Sequence, residues 1–428
     1  MAELRAGVGR TVITPPVGTL MGGYGARDHG CEGAHDDLMA TALALDDGRT
    51  RAAIVALDIV GLAEDSVARI RTLIQHHSDV PGNNVAVCCS HTHSGPVTRE
   101  LGAGGPPNRE YLHVLEGLAA TAVIQAARHM EPVVGSVAFG IGGFNVNRRR
   151  QTESGVQMLP NPDGAVDRRV FALRLDRTAN AGGEAAPLAT LFSYSCHSTC
   201  MGAANYQLSA DFPGQARRCI EAAYWPDGGS HALFLQGCCA NVRPNLTGPD
   251  GRFRGATFRE LRGIGYTLGA EVLRVSQAGE PIDLAPLAAG STRVRLPLRP
   301  LADVLDRPWA AAAARQQGPL EPPSGFPTSI EAEVQVLRLG DLLLVALPGE
   351  IFEETGRRIV AALPGGPDRT LVSSYSNGAT GYVPTPEALQ EGGYEAFPFG
   401  RGRGILYADD VEVRLIAAAG QVTGTLIG

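Results

Sequence analysis

The sequence predicts a layered α/β fold, and three observations support this fold class. Short apolar runs bounded by turn residues alternate with helical patterns, as expected for stacked sheets and helices. The chain has 428 residues, more than a single core usually holds, so one large unit or two closely packed lobes are expected. Hydrophobic residues make up 44% and charged residues 19% of the chain. This composition is typical of a globular protein and not of a disordered one.

The apolar runs and helical patterns follow one another in a regular order. Strands are predicted at residues 41–45, 51–57, 84–89, 134–139, 171–175 and 188–194. Helices are predicted at residues 63–76, 108–129, 214–223 and 258–277. This alternation indicates sheets covered by helices.

The last third of the chain differs in amino-acid composition and in its predicted elements. Residues 284–323 are rich in proline, alanine and arginine, and predict a junction between possible lobes 1–283 and 324–428 of a single domain, 1–428. Beyond it we expect a hairpin at 331–347, an irregular loop rich in glycine and tyrosine at 380–403, and a helix at 409–419. Such a loop is well suited to cover a site.

Charge and targeting signals narrow the possible partners. The net charge of -7 and the sequence pI near 5.8 give no broad attraction to phosphate backbones, so nucleic acid is not expected as a partner. A small-molecule substrate is expected instead. The sequence shows no export leader and no run of about 18 apolar residues, which predicts a cytoplasmic location without stable membrane anchoring. The 8 cysteines are not spaced like a disulfide framework and are expected to be reduced.

Three apolar runs end at residue types that bind metals. One run leads into His91 and His93, a later one into His197 and a third into Glu350. Each has an ordinary alternative: a polar turn, a buried hydrogen-bonded histidine, or an acidic residue opening a helix. Zinc binds histidine nitrogen and carboxylate oxygen, and a catalytic zinc keeps one position open. The residues therefore predict a zinc site if the three strand ends converge.

Several motifs occur in an order that resembles the neutral/alkaline ceramidase family. They are GVGRTVITPPVG near the start, HTHSGP, LSADFPG, LPGE and the late tyrosine-containing loop. The resemblance implies a layered mixed α/β catalytic domain of the neutral ceramidase type. Secreted members also have a signal sequence and a C-terminal immunoglobulin-like domain, for which we find no counterpart in the sequence.

The resemblance also implies roles for individual residues. One zinc ion per chain would be held by the residues that match the family's ligands, namely His91, His197, Glu350 and Tyr382. Catalytic roles fall to His93 as the candidate proton shuttle, and to Arg148 and Tyr394 as groups that bind the substrate carbonyl. The function implied is hydrolysis of a linear amide bond by metal-activated water.

The sequence departs from the family at one segment of interest. Where ceramidases have a serine proposed to act as a nucleophile or substrate contact, this chain has Arg243, two residues after Asn241. Serine chemistry at that position is thereby excluded. We assign Arg243 and Asn241 to substrate binding, and the arginine suits a substrate that carries a carboxylate. A small soluble amide is therefore expected rather than ceramide.

Other functions remain open at this stage. A zinc esterase or lactonase would use the same polarised carbonyl, a true ceramidase would need an apolar channel, and a catalytically silent metal-binding scaffold would account for the lost serine. Manganese or iron could also occupy a site of two histidines and a glutamate.

Overall fold

The computed structural model describes residues 3–100, 104–178, 187–224, 229–310, 324–396 and 405–428. The strands are β1 (Arg5–Val12), β2 (Gly33–Ala34), β3 (Met39–Asp46), β4 (Arg51–Leu57), β5 (Val85–Cys89), β6 (Glu131–Ile141), β7 (Asn145–Thr152), β8 (Gly155–Asn161), β9 (Arg169–Arg177), β10 (Pro187–Tyr194), β11 (Gln207–Leu208), β12 (His231–Gln236), β13 (Val242–Pro244), β14 (Glu280–Ile282), β15 (Leu287–Pro300), β16 (Ser329–Leu339), β17 (Leu342–Ala346), β18 (Glu350–Ile351), β19 (Thr370–Ser373), β20 (Tyr382–Val383) and β21 (Ile405–Tyr407).

The helices lie between the strands and at the end of the chain. They are α1 (Glu64–His77), α2 (Arg109–Arg128), α3 (Asp211–Ala223), α4 (Phe258–Ser276), α5 (Glu353–Ala362), α6 (Gly366–Arg369), α7 (Pro386–Glu391) and α8 (Val411–Ile427). The start of α4 follows a local sequence rule. The side chain of Thr257 accepts from the backbone N–H of Glu260, whose carboxylate accepts from the N–H of Thr257, and this capping box begins α4.

Two large sheets carry the architecture. A nine-stranded sheet follows the order β12-β10-β9-β6-β1-β3-β4-β5, with β14 beside β6. Its two outer pairs, β10 with β12 and β4 with β5, are parallel. A five-stranded sheet follows the order β19-β17-β16-β15-β21, with β17 and β19 parallel. Each parallel pair brings the ends of its own two strands, and the loops that follow them, to one edge. In the nine-stranded sheet the strands between β10 and β4 are joined only by antiparallel pairings, which make the two parallel pairs run in opposite directions.

The sheets stack face to face between two layers of helices. In strand β3, successive side chains point to opposite faces of the sheet. Ala42 and Ala44 pack against α1 and α2, whereas Leu43 and Leu45 pack against leucines of β16 and β17. Helices α3 and α4 cover the other half of the nine-stranded sheet. Helices α5 and α8 cover the outer face of the five-stranded sheet. The layers are thus helix, sheet, sheet and helix, which confirms the predicted layered mixed α/β fold.

A short segment after β19 joins the two edges of the nine-stranded sheet. The N–H of Ser374 donates to the carbonyl of Gln236 in β12 over 2.9 Å, and the carbonyl of Tyr375 accepts from the N–H of Cys89 in β5 over 3.1 Å. The side chain of Asn377 then accepts from the N–H of Val87. Residues 374–377 therefore close the sheet where His91 leaves β5.

The predicted strands and helices are present, with ends shifted by a few residues, and a strand lies within the predicted junction. The division into two lobes remains a prediction. Within residues 284–323, Leu287–Pro300 forms β15, which pairs with β16 along most of its length. Its alternating small, polar and apolar residues follow the period of a strand, and this pattern outweighs the proline and arginine content. Residues 311–323 lie outside the described residues, as do 397–403 of the predicted loop. Among the described helices, none is long and apolar enough to cross a membrane.

Candidate active site

The strand ends do converge. His91 follows β5 in a left-handed backbone conformation with φ of 58°, and its N–H donates to the carbonyl of Ile59 over 3.0 Å. His197 follows β10, and Glu350 opens β18 just after β17. All three side chains are buried. An unusual backbone angle at a non-glycine residue costs energy and commonly marks a functional position.

The hydrogen bonds of two histidines fix their tautomers. Nδ1 of His91 lies 2.5 Å from the carbonyl oxygen of Val60, and Nδ1 of His197 lies 2.7 Å from that of Cys239. Because a carbonyl oxygen only accepts, each Nδ1 carries the proton. In a neutral ring the other nitrogen, Nε2, then holds a lone pair, which is the arrangement found in metal-binding histidines.

These lone pairs meet a carboxylate. Oε2 of Glu350 lies 3.5 Å from Nε2 of His91 and 3.3 Å from Nε2 of His197. Among the described residues, neither that oxygen nor Nε2 of His197 has a hydrogen-bond partner. The ligand atoms of His91, His93 and His197 also lie within 4.8 Å of one another. Buried acceptors facing one another without a donor suit a cation between them, so the residues present fit a zinc ion.

Tyr382 stands beside this cluster. Strands β18 and β20 are parallel and pair Glu350 with Tyr382, so both side chains leave the sheet on the same side. The Tyr382 ring lies nearly parallel to that of His197, with centroids 6.5 Å apart. Its predicted part as a fourth ligand remains a prediction.

Burial sets the protonation of the cluster. It lowers the pKa of His197 to about 4 and that of His93 well below its usual value. Burial and the Glu350 charge raise the pKa of Tyr382 well above its usual value. For Glu350 burial acts upward, but His91 and His197 outweigh it and hold the pKa well below normal. These shifts favour neutral rings at His93 and His197, a neutral phenol at Tyr382 and an ionised carboxylate at Glu350.

His93 turns one edge to the cluster and the other to a glycine. Its Nε2 lies 3.1 Å from Nε2 of His91. Its Nδ1 edge lies against Gly23, where φ is +90° and an added Cβ would stand 2.4 Å from Nδ1. The ring of Tyr24 packs edge-on to His93 with centroids 4.9 Å apart. His93 is therefore held with Nε2 directed at the site.

Arg148 is positioned by acidic and aromatic neighbours. Its Nε donates to Glu395 over 2.7 Å and its Nη2 to the hydroxyl of Tyr382 over 3.1 Å. Burial alone would lower the pKa of Arg148, but Tyr382 and Glu395 raise it well above its usual value. Tyr394, which is 45% exposed, places its ring 5.5 Å from that of Tyr382. The predicted carbonyl-binding pair thus lies beside Tyr382, with Arg148 buried and Tyr394 exposed to solvent.

The two predicted substrate-binding residues behave differently. Asn241 is fully buried, and its amide donates to Glu354 and accepts from the N–H of Glu353. These contacts hold the start of α5, so direct contact between Asn241 and a substrate stays a prediction that the geometry does not favour. Arg243 instead has its guanidinium over the ring of Phe253 at 4.3 Å, and its Nε has no hydrogen-bond partner among the described residues.

Sequence reasoning missed several residues around the cluster. Tyr375 stacks on His91 at 3.9 Å between ring centroids, and Nη2 of Arg99 lies 3.9 Å from Oε1 of Glu350. Glu395 binds both Arg148 and Arg149. These residues lie in loops without periodic patterns, and only the fold brings them together. The Gly22-Gly23 pair before Tyr24 was the one available signal of close backbone approach.

Comparisons with known proteins agree with this geometry. The family described as neutral/alkaline non-lysosomal ceramidase, N-terminal, matches residues 4–257. The chain is 24% identical over 472 residues to the neutral ceramidase of Pseudomonas aeruginosa, covering 91% of this chain and 68% of that protein. It is 25% identical over 455 residues to the neutral ceramidase of Mycobacterium tuberculosis, covering 87% and 70%.

Solved structures extend the match to the second half of the chain. A ceramidase complexed with C2 superposes with a TM-score of 0.78 at 22% identity, covering 100% of this chain and 76% of that one. The crystal structure of neutral ceramidase from Pseudomonas aeruginosa gives 0.76 at 21% identity, covering 100% and 75%. At these identities the structures show the shared fold. With the family match spanning more than half of its residues, the chain belongs to the neutral/alkaline non-lysosomal ceramidase family.

Proposed function

We propose that the protein is a zinc-dependent hydrolase that cleaves the amide bond between an acyl group and an amine. The observation that carries the proposal is that the buried carboxylate oxygen Oε2 of Glu350 lies within 3.5 Å of two buried histidine nitrogens, Nε2 of His91 and Nε2 of His197. In this proposal His91, His197 and Glu350 hold the ion and Tyr382 completes its ligands. Zinc supplies Lewis acidity, which polarises a carbonyl and makes water a better nucleophile.

The chain's own groups orient the substrate and move a proton. Nε2 of His93 faces the cluster, and burial keeps this ring neutral, so it can take up a proton there and return it to the departing amine. Arg148 has donors directed at Tyr382, and with Tyr394 it would bind the carbonyl oxygen as negative charge develops there. Glu395 keeps Arg148 in place.

Ceramide is a second candidate substrate. Both relatives reported above are called neutral ceramidases. Ceramide is itself an N-acyl amide, so the same chemistry would cleave it. The presence of Arg243 at the position discussed above favours a smaller, polar amide, because an unpaired guanidinium is a poor neighbour for a long apolar chain.

Metal analysis of the purified protein tests the proposal. We expect about one zinc ion per chain in the wild type, and loss of zinc in His91→Ala and Glu350→Ala. His76→Ala, which removes an exposed histidine of α1, is the matched control and should keep the metal. Zinc retained in both site variants, or no zinc bound even when it is supplied, would contradict the proposal.

Turnover assays then separate the remaining functions. Matched N-acyl amide and ester substrates, together with ceramide, are offered to the zinc-loaded protein. Amide cleavage that is lost in Glu350→Ala supports the proposal. Cleavage confined to esters or lactones would assign the protein to that alternative, and a zinc-loaded protein that turns over none of these compounds would be a binding scaffold.

A further inference from the structure

Buried arginines in this protein normally face a carboxylate. The described pairs include Arg71 with Glu333, Arg148 with Glu395 and Arg217 with Asp58, each at 2.7 or 2.8 Å. Because an unpaired buried charge is costly, such pairing is the rule in proteins. A buried guanidinium without an acidic partner is therefore an exception in this protein. Such an exception is explained if the acidic partner belongs to a bound ligand.

Arg243 is such a guanidinium, with a side chain that is partly buried. Among the described residues it forms no salt bridge, and its Nε is buried without a hydrogen-bond partner. Its closest aromatic contact is the face of Phe253 at 4.3 Å. Burial lowers the pKa of Arg243, and neighbouring Arg148 adds to this effect. The arginine is thus held in a position that disfavours its charge until an anion is bound.

Two more unsatisfied groups are connected to Arg243 through Tyr24. The hydroxyl of Tyr24, on which Arg243 acts electrostatically, is buried without a partner in the described chain. Arg27 stacks over the Tyr24 ring at 5.0 Å and donates through Nη1 to the carbonyls of Gly22 and His93, each at 2.8 Å. Its Nε and Nη2 have no partner among the described residues. These are donors left without an acceptor.

The carboxylate of Asp211 is not their acceptor. It also acts on Tyr24, but its two oxygens accept from the backbone N–H groups of Cys200, Met201 and Phe212. The donors of Arg243, Tyr24 and Arg27 therefore remain available to a bound anion.

We propose that Arg243, Tyr24 and Arg27 bind a carboxylate on the amine half of the substrate. The inference rests on the proposed amide hydrolysis and adds a substrate class, the N-acyl amino acids. The orientation follows from His93: the departing amine receives its proton there, and this same residue contacts the Tyr24 ring and accepts from Arg27 through its carbonyl. A group attached to the amine would therefore lie on the side of Tyr24.

Three matched amides test the site on the zinc-loaded protein. N-hexanoylglycine carries the carboxylate on the amine half, N-hexanoylglycinamide replaces it with a neutral amide, and the monomethylamide of hexanedioic acid carries it on the acyl half. We expect kcat/KM for N-hexanoylglycine to exceed that of the other two by about 10- to 100-fold, the size expected for charge-assisted hydrogen bonds.

Variants then locate the preference. Arg243→Gln should reduce the ratio of kcat/KM for N-hexanoylglycine over N-hexanoylglycinamide by about 10- to 100-fold, and Tyr24→Phe, which removes only the hydroxyl, by a smaller factor. Arg252→Gln is the matched control, because Arg252 is exposed in the same region of the chain and changes the net charge equally. The ratio should be unchanged in this control.

A binding measurement keeps this inference separate from the proposed activity. The ketone analogue of N-hexanoylglycine, with CH2 in place of the amide NH, is not hydrolysed and is titrated calorimetrically into each protein. Weaker binding in Arg243→Gln and in Tyr24→Phe than in Arg252→Gln supports the carboxylate site even if no amide is cleaved. Equal binding in all proteins, no preference of the wild type for a carboxylate, or a preference for the acyl-half carboxylate would overturn it.

Discussion

Replacement of Glu395 by glutamine should destabilise the protein strongly. Oε1 of Glu395 accepts from Nε of Arg148 at 2.7 Å and Oε2 accepts from Nη1 of Arg149 at 2.8 Å, and the side chain is only 2% exposed. Glutamine keeps the shape but removes the charge, and its NH2 group would face another donor. Breaking a buried ion pair in this way costs about 3–5 kcal/mol of unfolding free energy.

A neighbouring glutamate provides the control. Glu391 binds Nη2 of the same Arg149 at 3.1 Å, but its side chain is 54% exposed. Because solvent screens this pair, Glu391→Gln should cost no more than about 1 kcal/mol. Urea-induced unfolding of the wild type and both variants at about pH 7 measures the two costs. Equal costs would refute the argument that burial of Glu395 makes its charge important.

The same pair predicts a pH dependence. Burial tends to raise the pKa of Glu395, but Arg148 and Arg149 outweigh it and lower the pKa below the reference of 4.5. A lowered carboxyl pKa contributes stability above the unfolded value, and this contribution is lost as pH falls through the folded pKa. The stability difference between wild type and Glu395→Gln should therefore stay constant above about pH 5 and shrink below it. A difference that grows on acidification would contradict this assignment.

Two further substitutions probe the backbone and a buried acid. Gly18 and Gly23 have φ of +88° and +90°, but an added Cβ meets nothing within 4 Å at Gly18 and lies 2.4 Å from Nδ1 of His93 at Gly23. Gly18→Ala should cost about 1–2 kcal/mol in urea unfolding, whereas Gly23→Ala should cost more and also lower kcat/KM; equal effects would contradict the close packing on His93. Burial raises the pKa of Asp211 from 3.8 to about 6. The folded state therefore binds this proton more tightly, and the contribution of Asp211 to wild-type stability should fall by about 3 kcal/mol as pH rises from about 4 to 6. The fall should be absent in Asp211→Asn, and the same urea profile in both proteins would contradict it.

Much of the fold follows from local sequence patterns. Strand β10 could be predicted because a continuous apolar run is required where both faces of a strand are covered. The same runs place His91, His197 and Glu350 at strand ends. Their convergence depends on residues 374–377, which join the two outer strands of the nine-stranded sheet. The residue types and the fold class were therefore accessible before the structure.

Other parts of the site depend on pairings between distant segments. Glu350 and Tyr382 are register partners in two-residue strands, which are too short to show a pattern. The amide of Asn241 binds the start of α5, and neither residue type nor spacing distinguishes this role from contact with substrate. Part of the predicted junction forms strand β15, because tertiary pairing with β16 outweighs its proline and arginine content.

The closure of the nine-stranded sheet by residues 374–377 has a consequence for biosynthesis. Asn377 and Val87, which it binds, are 290 residues apart in the chain. As the chain leaves the ribosome, the outer edges of β5 and β12 remain uncovered until most of the polypeptide has been made. Uncovered strand edges pair readily with other chains. A chaperone that shields nascent polypeptides would therefore be needed until residues 374–377, near the end of the 428-residue chain, have emerged.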